Sequence, residues 1–97
     1  MPFADCVARS FTVPSVQKNA PESSGVYGLS NAREWLFVGQ GNNIRAQLLA
    51  HLNELDTALM AQNPKGFAFE LCPPGERIRR QDALVRELEP RCNRRMD

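Results

Sequence analysis

Residues 24–55, SGVYGLSNAREWLFVGQGNNIRAQLLAHLNEL, read as two short β-prone runs feeding a helix through a glycine-bracketed turn, and few architectures accommodate that order. Val26, Tyr27 and Leu29 form the first run, Ser30–Glu34 supply turn material, and Trp35–Val38 form the second, which together predict a hairpin. Gly39-Gln40-Gly41-Asn42-Asn43 then breaks the strand, and either asparagine can accept hydrogen bonds from the first amides of a helix starting near Asn43. Ile44, Leu48, Leu49, Leu52 and Leu55 recur at helical spacing on one face of that helix, with Gln47, His51 and Glu54 on a neighbouring face. One face docks on a core and the other looks outward.

The flanking segments fit around this unit. Val7, Phe11 and Val13 alternate with small or polar residues and permit a strand at a sheet edge, broken off where Val13 precedes Pro14 and should be extended. Pro14–Ser24 is polar and is expected to be a loop or a helical turn. Beyond Leu55 the helical pattern can continue from Asp56 through Leu59 and Met60 to Gln62, where Asn63-Pro64-Lys65-Gly66 ends it. Phe67, Phe69 and Leu71 alternate with Ala68, Glu70 and Cys72 as a third strand, closed by Pro73-Pro74-Gly75. Glu76–Glu89 then reads as a partly apolar helix, carrying Ile78, Ala83, Leu84, Val85 and Leu88 and stopped by Pro90. The expected architecture is a small α/β domain, a three-stranded antiparallel sheet flanked by two or three helices.

Composition narrows the class. At 97 residues, with 42% hydrophobic and 24% charged side chains, the chain holds one modest core and is not disordered. No apolar run approaches a membrane span and no signal-peptide pattern opens the sequence, so a cytoplasmic protein with no membrane partner is expected. Cys6, Cys72 and Cys92 are odd in number and lack CxxC spacing, and they read as free thiols. The net charge of +1 names no partner, but from Arg77 onward seven arginines face four acids, a local excess of +3. Arginine suits bidentate phosphate contacts and helix-surface pairing alike, and a mixed charge run is more often a solvated face.

The ordered set Gly25-Val26-Tyr27, Phe37-Val38-Gly39, Asn42-Asn43-Ile44 and His51 resembles the signature of GIY-YIG nucleases. The approach Asn19–Tyr27 is similar to the entry of that domain in the nuclease subunit of bacterial excision repair, and Leu84, Val85, Leu88, Pro90 and Asn93 resemble its closing helix with a Pro-x-x-Asn step. The resemblance implies a GIY-YIG-like domain over residues 21–97, preceded by an N-terminal extension, 1–20, with an edge strand. It implies Tyr27 as base or base partner and His51 as its support. It also places a phosphate-binding arginine at Gln47, a tyrosine at Phe37 and a magnesium-binding glutamate at Gln81, so that three polar positions are substituted.

Both glutamines remove charge where phosphodiester hydrolysis uses it. The expectation is therefore a degenerate domain, catalytically inactive or very weak and without a metal, that binds DNA or RNA phosphates through Arg77, Arg79, Arg80, Gly39, Gly41 and Asn43. An active magnesium-dependent endonuclease with a displaced ligand, Asp82 or Glu54, is the alternative. A protein-interaction module using a sheet edge or the Leu59/Met60 region is another. Each residue also has a plainer role: Tyr27 as a packed aromatic, His51 as a boundary residue, Gly39 and Gly41 as turn formers, Trp35 as hairpin packing, Asn93 as a brace of the C-terminal turn.

Overall fold

The structure, a computed structural model, describes residues 9–53 and 58–92. Asn93, Glu54, Leu55, Cys6, Arg94 and Arg95 lie outside them, as do the sequence expectations that fall on those residues. The elements run β1 (Arg9–Ser10), α1 (Val13–Asn19), β2 (Gly25–Ser30), β3 (Trp35–Gly41), α2 (Ile44–Asn53), α3 (Ala58–Ala61), β4 (Gly66–Leu71), a 3-10 turn (Pro74–Glu76) and α4 (Arg77–Leu88).

The sheet is antiparallel in the order β1-β4-β2-β3, so it has four strands among the described residues where three were expected. The additional strand is β1, two residues long, pairing Arg9 with Phe67 and Ser10 with Gly66. The part of the expected run that precedes Arg9 lies outside the described residues. Val13 is helical and not extended: Thr12 is the extended N-cap of α1, and its side-chain oxygen accepts a hydrogen bond from the Ser15 amide at 3.3 Å. Pro14 is tolerated because the first turn of a helix needs no N–H from it.

β2 is the central strand, with β3 on one side and β4 on the other, and Gly25 through Leu29 are all buried. Consecutive strand residues point to opposite faces, so β2 feeds two cores. Tyr27 and Leu29 join Phe11, Val16, Ala20, Ile44, Leu48, Leu59 and Phe67 under α1 and α2. Val26 joins Val38, Ala68 and Leu84 under α4. A bulge divides the hairpin, since Leu29 faces Phe37 but Ser30 faces Trp35, leaving Leu36 as the extra residue. Leu36 and Phe37 consequently both serve the α2 side, and Trp35 packs with Val85 and Leu88 on the α4 side.

Two further features fix the frame. Edge strand β3 has its Leu36 carbonyl covered by the Cys92 amide at 2.7 Å and its Val38 carbonyl by the Gln81 side-chain amide at 3.0 Å. Under α4, Arg80 makes two hydrogen bonds to Glu70, at 2.9 and 3.0 Å. Leu59 is buried in the core, which takes it out of the apolar surface proposed for a partner. No helix among the described residues is long and apolar enough to cross a membrane.

Gly25→Ala should lower stability by about 2–3 kcal/mol, read from the urea midpoint, because its Cβ would collide with the Glu70 carbonyl oxygen and lie 2.7 Å from Ile44 Cδ1. Cys72 and Cys92 are buried and in no disulfide, and burial, reinforced by Glu76 and Glu70, pushes the Cys72 thiol above its ordinary value. In a Cys6→Ser background a thiol reagent at neutral pH should therefore label neither cysteine until urea unfolds the protein.

Candidate functional site

Tyr27 is buried at mid-strand in β2, directly opposite Gly39 of β3. The ring fits only because Gly39 lacks a side chain: a Cβ there would collide with the Tyr27 hydroxyl and lie 2.5 Å from Cζ and 2.8 Å from Phe37 Cε2. Gly39 is thus a strand residue that makes room for a phenol, a role that reading it as turn material misses. Gly41, two residues on and on the same face, does the same for α2, since its Cβ would lie 2.7 Å from Gln47 Cγ.

His51, half-buried in the last turn of α2, closes the site from above. Tyr27 Oη and His51 Nε2 are 2.8 Å apart and hydrogen-bonded, the phenol donating when that nitrogen carries no proton. Phe37 meets the imidazole edge-on, ring centroids 5.2 Å apart, and lies 6.2 Å from the Tyr27 ring. Helical periodicity sets Gln47 one turn before His51 on the same face, exposed above Gly41. The structure therefore gathers Tyr27, Phe37, Gly39, Gly41, Gln47 and His51 on one face of the β2–β3 pair.

Gln81 approaches from α4. Its amide nitrogen donates to the Val38 carbonyl, adjacent in the chain to Gly39. Asp82, the next residue, is exposed and lies about 100° further around the helix. The amides at the start of α2 are engaged: Ile44 donates to the Ser23 carbonyl at 3.0 Å, Arg45 to that of Pro21 at 3.1 Å, and Ala46 to Asn43 Oδ1 at 3.0 Å. Asn43 is thereby the N-cap of α2. Arg45, the cation nearest in sequence to Gln47, is turned away, with Nε donating to the Ala20 carbonyl at 2.9 Å and Nη1 3.5 Å from Glu22. Of the three arginines singled out in the sequence, Arg80 is bound to Glu70, Arg79 is exposed, and Arg77 reaches across to Asn42 and Ser24.

Solved structures share the fold that carries these residues. The GIY-YIG N-terminal endonuclease domain of UvrC from Thermotoga maritima, bound to its catalytic magnesium, superposes with a TM-score of 0.69 at 19% identity, over 80% of this chain and 94% of that one. This chain has a GIY-YIG-like fold. A point mutant of the same Thermotoga domain with one tyrosine replaced by phenylalanine, bound to the catalytic divalent cation, gives 0.68 at 18% identity, over 80% and 93% of the two chains. No family model and no curated protein matches the chain.

The residues that this GIY-YIG-like domain presents do not suit a hard divalent ion. Gln81 is neutral, and the end that meets Val38 is the donor end, because only an amide NH2 can face a carbonyl oxygen. Among the described residues no three His, Cys, Asp or Glu side chains converge. The donor set is phenol, imidazole and carboxamide, where magnesium takes carboxylate oxygen and water.

Tyr27→Phe should cost about 1 kcal/mol in urea unfolding and shift the His51 Nε2 resonance in nitrogen-15 NMR, because the ring stays packed and only the hydrogen bond is lost. Gly39→Ala should shift the same resonance and cost about 1–3 kcal/mol, since the methyl evicts the hydroxyl.

Proposed function

We propose that this domain is a GIY-YIG nuclease scaffold that no longer performs metal-dependent cleavage and keeps a surface for the phosphates of DNA or RNA around Tyr27, His51 and Gln47. The observation that carries this reading is the hydrogen bond from Gln81 to the Val38 carbonyl. At the position where the family resemblance puts a metal-binding carboxylate, the side chain is neutral and serves the sheet.

Hydrolysis of a phosphodiester needs an activated water, a cation against the phosphate and stabilisation of the leaving oxygen. The Thermotoga relative is bound to its catalytic magnesium, whereas here Gln81 stands where the resemblance puts the carboxylate that would hold such an ion. Gln47 can donate a hydrogen bond to a phosphate oxygen but brings no charge, and loss of one transition-state contact of this kind commonly costs on the order of 10²-fold or more in rate. Tyr27 and His51 hold a proton between them in a partly closed, aromatic-walled setting, which suffices to orient a phosphate or a water but not to neutralise developing charge.

A second reading draws on that same pair. A tyrosine hydroxyl 2.8 Å from an imidazole nitrogen is a competent base arrangement, and it favours a working endonuclease with a displaced ligand such as Asp82. Nicking of a supercoiled plasmid separates the two. With magnesium or manganese, the parent protein should be silent and the double variant Gln47→Arg, Gln81→Glu should nick. Chelator-sensitive nicking by the parent that disappears in Tyr27→Phe overturns the proposal and establishes the second reading.

A further inference from the structure

Among the described residues three arginines are matched with acids, and Arg77, which is partly buried, is not one of them. Arg45 lies 3.5 Å from Glu22, Arg80 is 2.9 Å from Glu70, and Arg91 is 3.4 Å from Glu34. Arg77 is more sequestered than the exposed Arg79 and Arg86, yet it has no carboxylate within ion-pair distance among the described residues. Its Nη1 donates to Asn42 Oδ1 and, at 3.3 Å, to Ser24 Oγ, both neutral acceptors. Its Nε is shielded from solvent and has no hydrogen-bond partner among the described residues.

Burying part of a charge beside neutral groups is costly unless something neutralises it. The place where the cost is incurred is informative. Asn42 follows Gly41, the residue over which Gln47 lies, and Gly41 is two strand positions from Gly39, roughly 7 Å from the Tyr27 level. Ser24, the other acceptor, donates its own hydroxyl to the Cys72 carbonyl at 2.7 Å, so the guanidinium is braced from both sides. A cation absent at Gln47 is thus present one loop away, held in place and unneutralised.

We propose that Arg77 binds an oxyanion at the Ser24 and Asn42 end of the β2–β3 pair, taking a phosphate on the guanidinium N–H groups that those two residues leave unused. The identification of that phosphate with a nucleic-acid backbone rests on the function proposed above; the anion site itself does not. Guanidinium is suited to the task because two parallel N–H donors meet two phosphate oxygens.

The test reads the group directly. Inorganic phosphate titrated at constant ionic strength should move the Arg77 Nε–H resonance and the amides of Ser24, Gly41 and Asn42 along a saturable curve, with sodium chloride at matched strength leaving them in place. Single-stranded and duplex oligonucleotides should bind Arg77→Gln about tenfold more weakly than the parent, with a salt slope smaller by about one, and Arg79→Gln should change affinity less. Thermal melts confirm that the variants are folded, and the phosphate titration needs no variant. Phosphate shifts that are absent, unsaturable or centred on Arg79 and Arg86 overturn the proposal. So does an Arg77→Gln effect no larger than that of Arg79→Gln. Saturable phosphate shifts at Arg77 without any oligonucleotide binding uphold the anion site and refute the nucleic-acid reading alone.

Discussion

The close approach of Tyr27 to Gly39 is the contact on which the arrangement of this domain turns. A central strand buried on both faces has little latitude, because its neighbours fix its register and helices fix its depth. Placing a phenol in that strand requires an opposing residue with no side chain, and Gly39 is that residue. Once the ring is seated, His51 can reach its hydroxyl from α2, and Phe37, turned to the same face beyond the bulge, packs on the imidazole. Sheet register, helix position and hydrogen bond are thus one constraint expressed at three levels.

Much of this was legible in the chain because local pattern and tertiary demand agree there. The hairpin, α2, the strand through Phe67 and Phe69 and the final helix follow from periodicity and turn residues, although β3 runs three residues beyond the expected end at Val38, through Gly41. The family resemblance supplied what pattern cannot, namely that Tyr27 and His51, 24 positions apart, meet. Thr12-Val13-Pro14 was misjudged although its signal was present: a threonine cap two residues before a proline starts a helix more readily than it ends a strand. The bulge at Leu36 was not readable, since it depends on which side of the sheet has room for Trp35. Nor was the partner of Gln81, a backbone carbonyl 43 residues away.

Charge distinguishes the site from its surroundings. Elsewhere three arginines pair with glutamates across the joins between elements, holding loop to helix at Arg45, strand to helix at Arg80 and hairpin to C-terminal turn at Arg91. Along the Tyr27 face, Tyr27, Phe37 and Gln47 carry no fixed charge, and the tyrosine hydroxyl is hydrogen-bonded to His51. Such a surface can orient a ligand without the electrostatic preorganisation that lowers a barrier.

The contact between Gln81 and Val38 bears on which side chain the fold tolerates at this position. The Gln81 side chain donates from α4 to a carbonyl on the edge strand. A glutamate restored at this position without a cation would set a carboxylate against that carbonyl, two acceptors facing each other, with a penalty of about 1–3 kcal/mol. For a domain with ordinary marginal stability, that is a sizeable share of the margin. A glutamate at position 81 is therefore opposed by folding, and the scaffold itself favours the amide there.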